Sequence, residues 1–144
     1  MEITRETDYA IRCVLYLSKK EGTIVMVDEI SQAMSIPKSF LAKILQKLTK
    51  AVVVKSFRGV NGGFRLAKKP EQVSLLDIIE AIEGTTAMNR CALDSSVCTF
   101  SNTCTVHPVW VNLRNMVEDT LRKTDFRALS SAALQKDKKI SNAR

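Results

Sequence analysis

The stretch from Val27 to Leu66 constrains the fold more than any other part of the chain. Two helical patterns meet at Ser35-Ile36-Pro37, and a run of β-branched residues and a glycine-rich turn follow at once. Val27 to Met34 reads as a short helix. Pro37 suits the first turn of the next one, because its fixed φ is helical and its missing N–H is a group the first turn leaves unused. In that third helix Phe40, Leu41, Ile44, Leu45 and Leu48 form the stripe that should be buried. Lys38, Ser39, Ala42, Lys43, Gln46 and Lys47 lie toward the other side. Val52-Val53-Val54-Lys55-Ser56-Phe57 then suits a strand. Arg58-Gly59-Val60-Asn61-Gly62-Gly63 suits a hairpin tip, with Asn-Gly tolerating the positive φ of a tight turn. A first amphipathic helix, from Arg5 to Lys20, brings Ala10, Cys13, Val14 and Leu17 to one side and ends at Gly22. Helix, turn, helix and basic hairpin predict a mainly α fold with a small β wing, a winged helix-turn-helix.

Charge sharpens this reading. The net charge is +7, but from Ser35 to Pro70 there are nine Lys and Arg residues and no Asp or Glu. Such a one-sided field suits a polyanion, since Lys and Arg that neutralise phosphates release condensed counterions; a solvated basic face is the plainer account of the charge alone. The helix-turn-helix order favours DNA. Lys38, Ser39, Lys43 and Lys47 on the third helix are the candidates to approach base edges and phosphates, and Arg58, Asn61, Gly62 and Arg65 those that set the wing against the backbone or minor groove. The glycine-rich tip is not a nucleotide cradle, for no Gly-Lys-Ser or Gly-Lys-Thr follows and no helix opens after it.

Beyond Pro70 the character changes. Ser74-Leu75-Leu76-Asp77 has the form of a capping box and opens a helix carrying Leu75, Ile78, Ile79 and Ile82 to Gly84. A polar loop follows, in which Cys91, Cys98 and Cys104 are separated by six and five residues and His107 stands three positions after the last. Three clustered cysteines are an odd set for disulfides, and soft thiolates select zinc, copper(I) or iron–sulfur clusters. Zinc knuckles place cysteine pairs two to four residues apart, and none is present; the wider intervals suit a larger inorganic cluster. From Pro108 to about Arg122, Val109, Leu113, Met116, Val117 and Leu121 form an apolar stripe with Trp110 beside it. A small winged core does not need this helix, so pairing with a second copy is its natural use; folding back on its own domain is the alternative. The tail from Gln135 to Arg144 is polar and basic and reads as disordered. The expected organisation is a DNA-binding domain over 1–84, a cysteine loop over 85–107, a dimerisation helix and C-terminal helix over 108–134, and a tail over 135–144.

Other classes fit less well. With 144 residues, 45% of them hydrophobic, the chain can build one core with an extension, and no apolar run reaches the ~20 residues that span a bilayer. Met1 to Glu6 lacks the charged-then-apolar order of a signal peptide, so a cytoplasmic location without membrane contact is expected, where thiols stay reduced. An enzyme that pairs one thiolate with His107 leaves the other two loop cysteines unexplained and lacks a substrate-binding element. Cys13 sits among apolar neighbours and reads as core.

Thr7-Asp8-Tyr9-Ala10, the wing motif Arg58-Gly59-Val60-Asn61-Gly62-Gly63-Phe64 and the spaced cysteines with His107 resemble the bacterial transcription-regulator family that contains NsrR, IscR and RirA. The resemblance covers roughly residues 1 to 135. It implies a homodimeric winged-helix protein that binds double-stranded promoter DNA, with affinity governed by an iron–sulfur cluster on Cys91, Cys98 and Cys104. The 4Fe–4S type is favoured and 2Fe–2S is the alternative; the first interval differs by about one residue from the IscR and NsrR spacing, a departure that a loop tolerates but that leaves both cluster types open. His107 stands at the IscR-like position for a fourth ligand and Asp8 at the NsrR-like one. A thiol-switch or zinc-stabilised winged-helix regulator without an iron–sulfur cluster is the competing reading.

Overall fold

The computed structural model describes residues 2–144. Among these residues six helices and one two-stranded sheet account for the regular structure. Helix α1 (Arg5–Lys19) starts at Thr4, whose hydroxyl accepts from the Thr7 N–H, and buries Ala10, Cys13, Val14 and Leu17 as the spacing predicts. Helices α2 (Val27–Met34) and α3 (Lys38–Lys50) are joined by a turn in which Ser35 takes a left-handed conformation at φ 52°. In α3, Leu41, Ile44, Leu45 and Leu48 are buried. Phe40 is a correction, because its ring is 49% exposed and meets Tyr9 edge-on at 6.0 Å rather than entering the core.

Strands β1 (Val54–Phe57) and β2 (Gly63–Leu66) pair antiparallel, with Lys55 opposite Arg65 and Ser56 opposite Phe64. The turn chemistry differs from the expectation. Asn61-Gly62 does not supply the positive φ; Gly59 does, at 105°, and the Gly62 N–H closes a turn onto the Gly59 carbonyl at 3.0 Å. Gly62 and Gly63 are required by space instead. A Cβ at Gly62 would lie 2.4 Å from the Phe57 carbonyl oxygen, and one at Gly63 2.3 Å from that of Val25. The second contact exists because Val25 and Phe64 exchange both backbone hydrogen bonds at 2.8 Å, so the α1–α2 connection adds a short third rung to the wing. At the C-terminus of α3, Val52 sits at φ 59°, the left-handed position that usually takes glycine, while the Val53 N–H reaches the Leu48 carbonyl at 2.9 Å.

Helix α4 (Leu75–Glu83) carries the expected capping box: the Asp77 N–H donates to the Ser74 hydroxyl, and the Ser74 N–H donates to Asp77. After α4 an irregular segment with single 3-10 turns at Arg90–Ala92 and Ser95–Val97 leads to α5 (His107–Lys123) and α6 (Phe126–Asn142). Helix α6 corrects two expectations. The stretch from Gln135 is not a disordered tail, since the helix continues to Asn142. Nor does the DNA-binding core close at residue 84: Phe126 is completely buried within it, and its N–H donates to the Val73 carbonyl at 2.9 Å, next to a bridge between Ser74 and Asp125. Further along, Lys19 pairs with Asp137 at 3.4 Å, and Arg127 joins Glu21 and Glu71 at 2.6 and 3.1 Å. In α5, by contrast, no residue is buried.

Candidate nucleic-acid interface and cysteine centre

Two groups of residues stand out, one on α3 and the wing and the other between α4 and α5. On α3, Ser39, Lys43 and Gln46 are exposed on the side opposite the buried stripe. Two of the expected contact lysines are already engaged. Lys38 pairs with Asp28 at 2.9 Å, and Lys47 with Glu6 at 2.7 Å. Both acids lie outside the acid-free segment, on α2 and α1, and the fold brings them in. Exposed pairs of this kind contribute little stability, so either lysine can exchange its carboxylate for a phosphate at small cost. Lys43 and Lys50 enter no ion pair among the described residues and are the free cations of this face.

On the wing, Arg58 and Asn61 are exposed at the tip, with Gly62 half-buried beneath them. Arg65 lies over the Phe57 ring at 4.8 Å, and Lys55, its cross-strand partner, at 5.7 Å from the same ring. Like charges directly opposite on a strand pair repel. Phe57 offsets part of this through its π face, and a polyanion would relieve the rest. Lys55 is therefore a wing cation that the sequence reading placed in a strand without a role. The signal that could have found it is the strand register, which sets it across from Arg65.

The cysteine centre is less assembled. Cys91, Cys98 and Cys104 are free thiols, each half-buried, on the irregular segment. Among the described residues, no three His, Cys, Asp or Glu side chains converge as a single-ion site. Among the described residues two buried side-chain polar atoms lack hydrogen-bond partners, and they stand at the two ends of this segment: Thr86 Oγ1 and His107 Nδ1. A buried imidazole nitrogen without a partner costs free energy unless something satisfies it. Asp8, the other candidate ligand, is half-buried on α1 and held by Arg12 at 2.7 Å. Cys13 is fully buried, and desolvation pushes its thiol up to about 12, so it is inert core.

Where the segment leaves α4, the structure adds a tie that sequence patterning missed. Glu83 accepts from the Thr4 N–H at 3.0 Å, from the Thr4 hydroxyl at 2.9 Å and from the Thr7 hydroxyl. The Thr7 hydroxyl first, and the Thr4 donors after it, hold the Glu83 carboxyl below its usual range against a smaller opposing desolvation. The start of the cysteine segment is thereby fastened to the start of α1. A separation of 76 residues between Thr7 and Glu83 leaves no local signature.

The chain matches the model of the Rrf2 family, described as iron-dependent transcriptional regulators, over residues 3–132. A protein of Aquifex aeolicus named as an HTH-type transcriptional regulator is 35% identical over 123 residues, which cover 84% of this chain and 85% of that protein. Among solved structures, CymR, the global cysteine regulator of B. subtilis, superposes with a TM-score of 0.76 at 25% identity, covering 92% of this chain and 98% of CymR. T. potens IscR shares the fold with a TM-score of 0.74 at 22% identity, covering 92% and 88%. No helix among the described residues is long and apolar enough to cross a membrane. With a winged helix-turn-helix fold and a family match over most of its length, the chain belongs to the Rrf2 family of transcriptional regulators.

Proposed function

We propose that this protein is a homodimeric repressor-type regulator of promoter DNA whose affinity is set by an iron–sulfur cluster on Cys91, Cys98 and Cys104, with His107 as the fourth ligand. The observation that carries the cluster is the donor set: three free, half-buried thiols on a segment that ends at a buried imidazole Nδ1 with no partner. Soft thiolates with one imidazole suit a 4Fe–4S or 2Fe–2S centre, the former favoured for loops this wide. When bound, such a cluster supplies a redox-active group that nitric oxide, oxygen or iron shortage attacks. His107 is preferred to Asp8 because Asp8 would have to give up Arg12, whereas His107 has an unmet need on its own chain.

The chain's own residues supply the rest. The cysteine segment starts at Gly84, beside the Glu83 tie to α1, and ends at the first residue of α5. Helix α1 in turn reaches α3 through Glu6 and Lys47. Ordering the segment therefore bears on both the reading helix and α5. Helix α5 presents Val109 and Met116 more than half exposed, Met116 lines an apolar groove with Leu113, Val117 and Leu121, and a second copy covers this face.

Anaerobic purification with an absorption spectrum and iron and sulfide analysis tests the cluster. Serine replacement of Cys91, Cys98 or Cys104 should each abolish the chromophore, while Cys13→Ser leaves it. Full iron and sulfide in the triple variant would overturn the assignment. Promoter affinity should differ by about 5- to 150-fold between cluster-bound and cluster-free protein, and equal affinities would make the cluster structural. The second reading, a thiol switch or a zinc-stabilised regulator, draws on the likeness to CymR, a cysteine regulator, and on the three thiols being free. Zinc without sulfide in the purified protein, or affinity that follows reversible thiol oxidation alone, would favour it.

A further inference from the structure

The reading face of α3 is narrower than its composition implies. Asp28 holds Lys38, Glu6 holds Lys47, and Tyr9 backs Phe40. What remains open, one helical turn after another, is Ser39, Ala42 with Lys43, Gln46 and Lys50. Ala42, Gln46 and Lys50 also line an open hollow between α3 and the wing, closed on its far side by Ser56 and Phe64. The hollow faces the gap between reading helix and hairpin, where a major-groove edge lies when a winged helix is docked. It is mostly apolar, and Gln46 is its one carboxamide.

A carboxamide can bond adenine in both directions, donating to N7 and accepting from the N6 amino group, and a bare methyl is the side chain that packs on the thymine C5-methyl. Ala42 and Gln46 stand four residues apart, about 6 Å along the axis, which places them over neighbouring pairs of a stack that rises about 3.4 Å per pair. The flanking Lys43 and Lys50 supply phosphate attraction without sequence information. We propose that Gln46 and Ala42 are specificity-determining residues that read an A·T step in each half-site, Gln46 through adenine and Ala42 through the thymine methyl. The inference rests on the DNA-binding reading and adds the base class and the residues that choose it.

The test is selection from a random-sequence duplex pool by the full-length protein, followed by affinities on the selected duplex and on random DNA. Wild type should yield a consensus with an A·T step at one symmetric position per half-site. Gln46→Ala should lose about 5- to 150-fold on the selected duplex, leave random-DNA affinity unchanged and flatten the preference at that position. Gln46→Glu, which can only accept, should shift the preference toward cytosine. Replacing the thymine by uracil, which removes only the methyl, should weaken wild type and leave Ala42→Gly indifferent. A consensus that Gln46→Ala selects unchanged, or an equal loss on random DNA, overturns this inference alone. No consensus from wild type overturns the sequence-specific regulator reading together with it. Circular dichroism of each variant keeps a folding defect from counting as support.

Discussion

The head and the segment behind it treat apolar side chains in opposite ways. In the head, built from α1 to α4, the wing and α6, Leu17, Ile30, Ile36, Leu41, Ile44, Leu45, Leu48, Ile78 and Phe126 are all but fully buried in one continuous core. From Met88 to Met116 the pattern inverts: Leu93, Val97, Phe100, Val106, Val109 and Met116 are between 45% and 70% exposed. Burial at roughly 25 cal/mol per Å² is what holds a small domain together. The head therefore closes on itself, while the cysteine segment and α5 leave apolar surface to be covered by something further. In the proposed regulator, that is a second copy and a cluster.

The strongest way to break this contrast is at the residue where the late chain returns to the head. Phe126→Ala should destabilise by about 3–5 kcal/mol through the cavity left in the core, read by urea denaturation. A loss below about 1 kcal/mol would mean that α6 is an accessory and that the head closes without it. Next in size is a charge on α5. Met116→Asp should weaken self-association by about 2–4 kcal/mol, as for a buried interface position, measured by sedimentation equilibrium, while the unfolding midpoint of the head barely moves. Unchanged association would place the partner surface elsewhere.

A smaller effect lies inside the head. Val52 holds a left-handed conformation that costs a non-glycine residue roughly 1–2 kcal/mol, and its side chain is 60% exposed, so nothing is lost in packing. Val52→Gly should raise stability by about 0.5–1 kcal/mol after the larger chain entropy of glycine is subtracted, visible as a higher thermal midpoint. The smallest effect marks the border between the two regions. Glu83 has a folded-state carboxyl below its unfolded value, so its contribution is present above the unfolded pKa of about 4.3 and is lost as pH falls through the lower folded value. Glu83→Gln should flatten that acid limb by under about 1 kcal/mol, since the group is exposed. An unchanged profile between pH 3 and 5 would show that the tie to Thr4 and Thr7 does not hold the segment.

Local features of this fold were legible in the sequence, and long-range ones were not. The period of α1 and α3, the bounds of α2, the capping box at Ser74 and Asp77 and the strand–turn–strand order each follow from residues within a few positions of one another. Most of the misread features depend on partners far along the chain, the Gly59 turn at the hairpin tip being the local exception. Gln135 to Asn142 looks disordered by composition, yet it continues a helix whose first residue is anchored in the core. Lys38 and Lys47 look free until the fold delivers Asp28 and Glu6. Gly63 looks like half of a turn, but it is small because Val25 passes over it. Of the candidate site, the basic character of α3 and the wing was readable from charge and order. The cysteines were readable as a group along the chain, whereas the unmet His107 Nδ1 arises only from how the chain folds around it.

The exchange of hydrogen bonds between Val25 and Phe64 has a mechanical consequence. A hairpin held only at its two ends would sway, and each half-site could be gripped at a range of widths. Here the hairpin is clipped at mid-length to the connection between the first two helices, so reading helix and wing form the two fixed jaws of a calliper. In the proposed mode of binding, the span of duplex gripped by one head is then a constant of the molecule. In the proposed dimer, the adjustable quantity is the distance between the callipers, which the segment joining α4 to α5 is positioned to set.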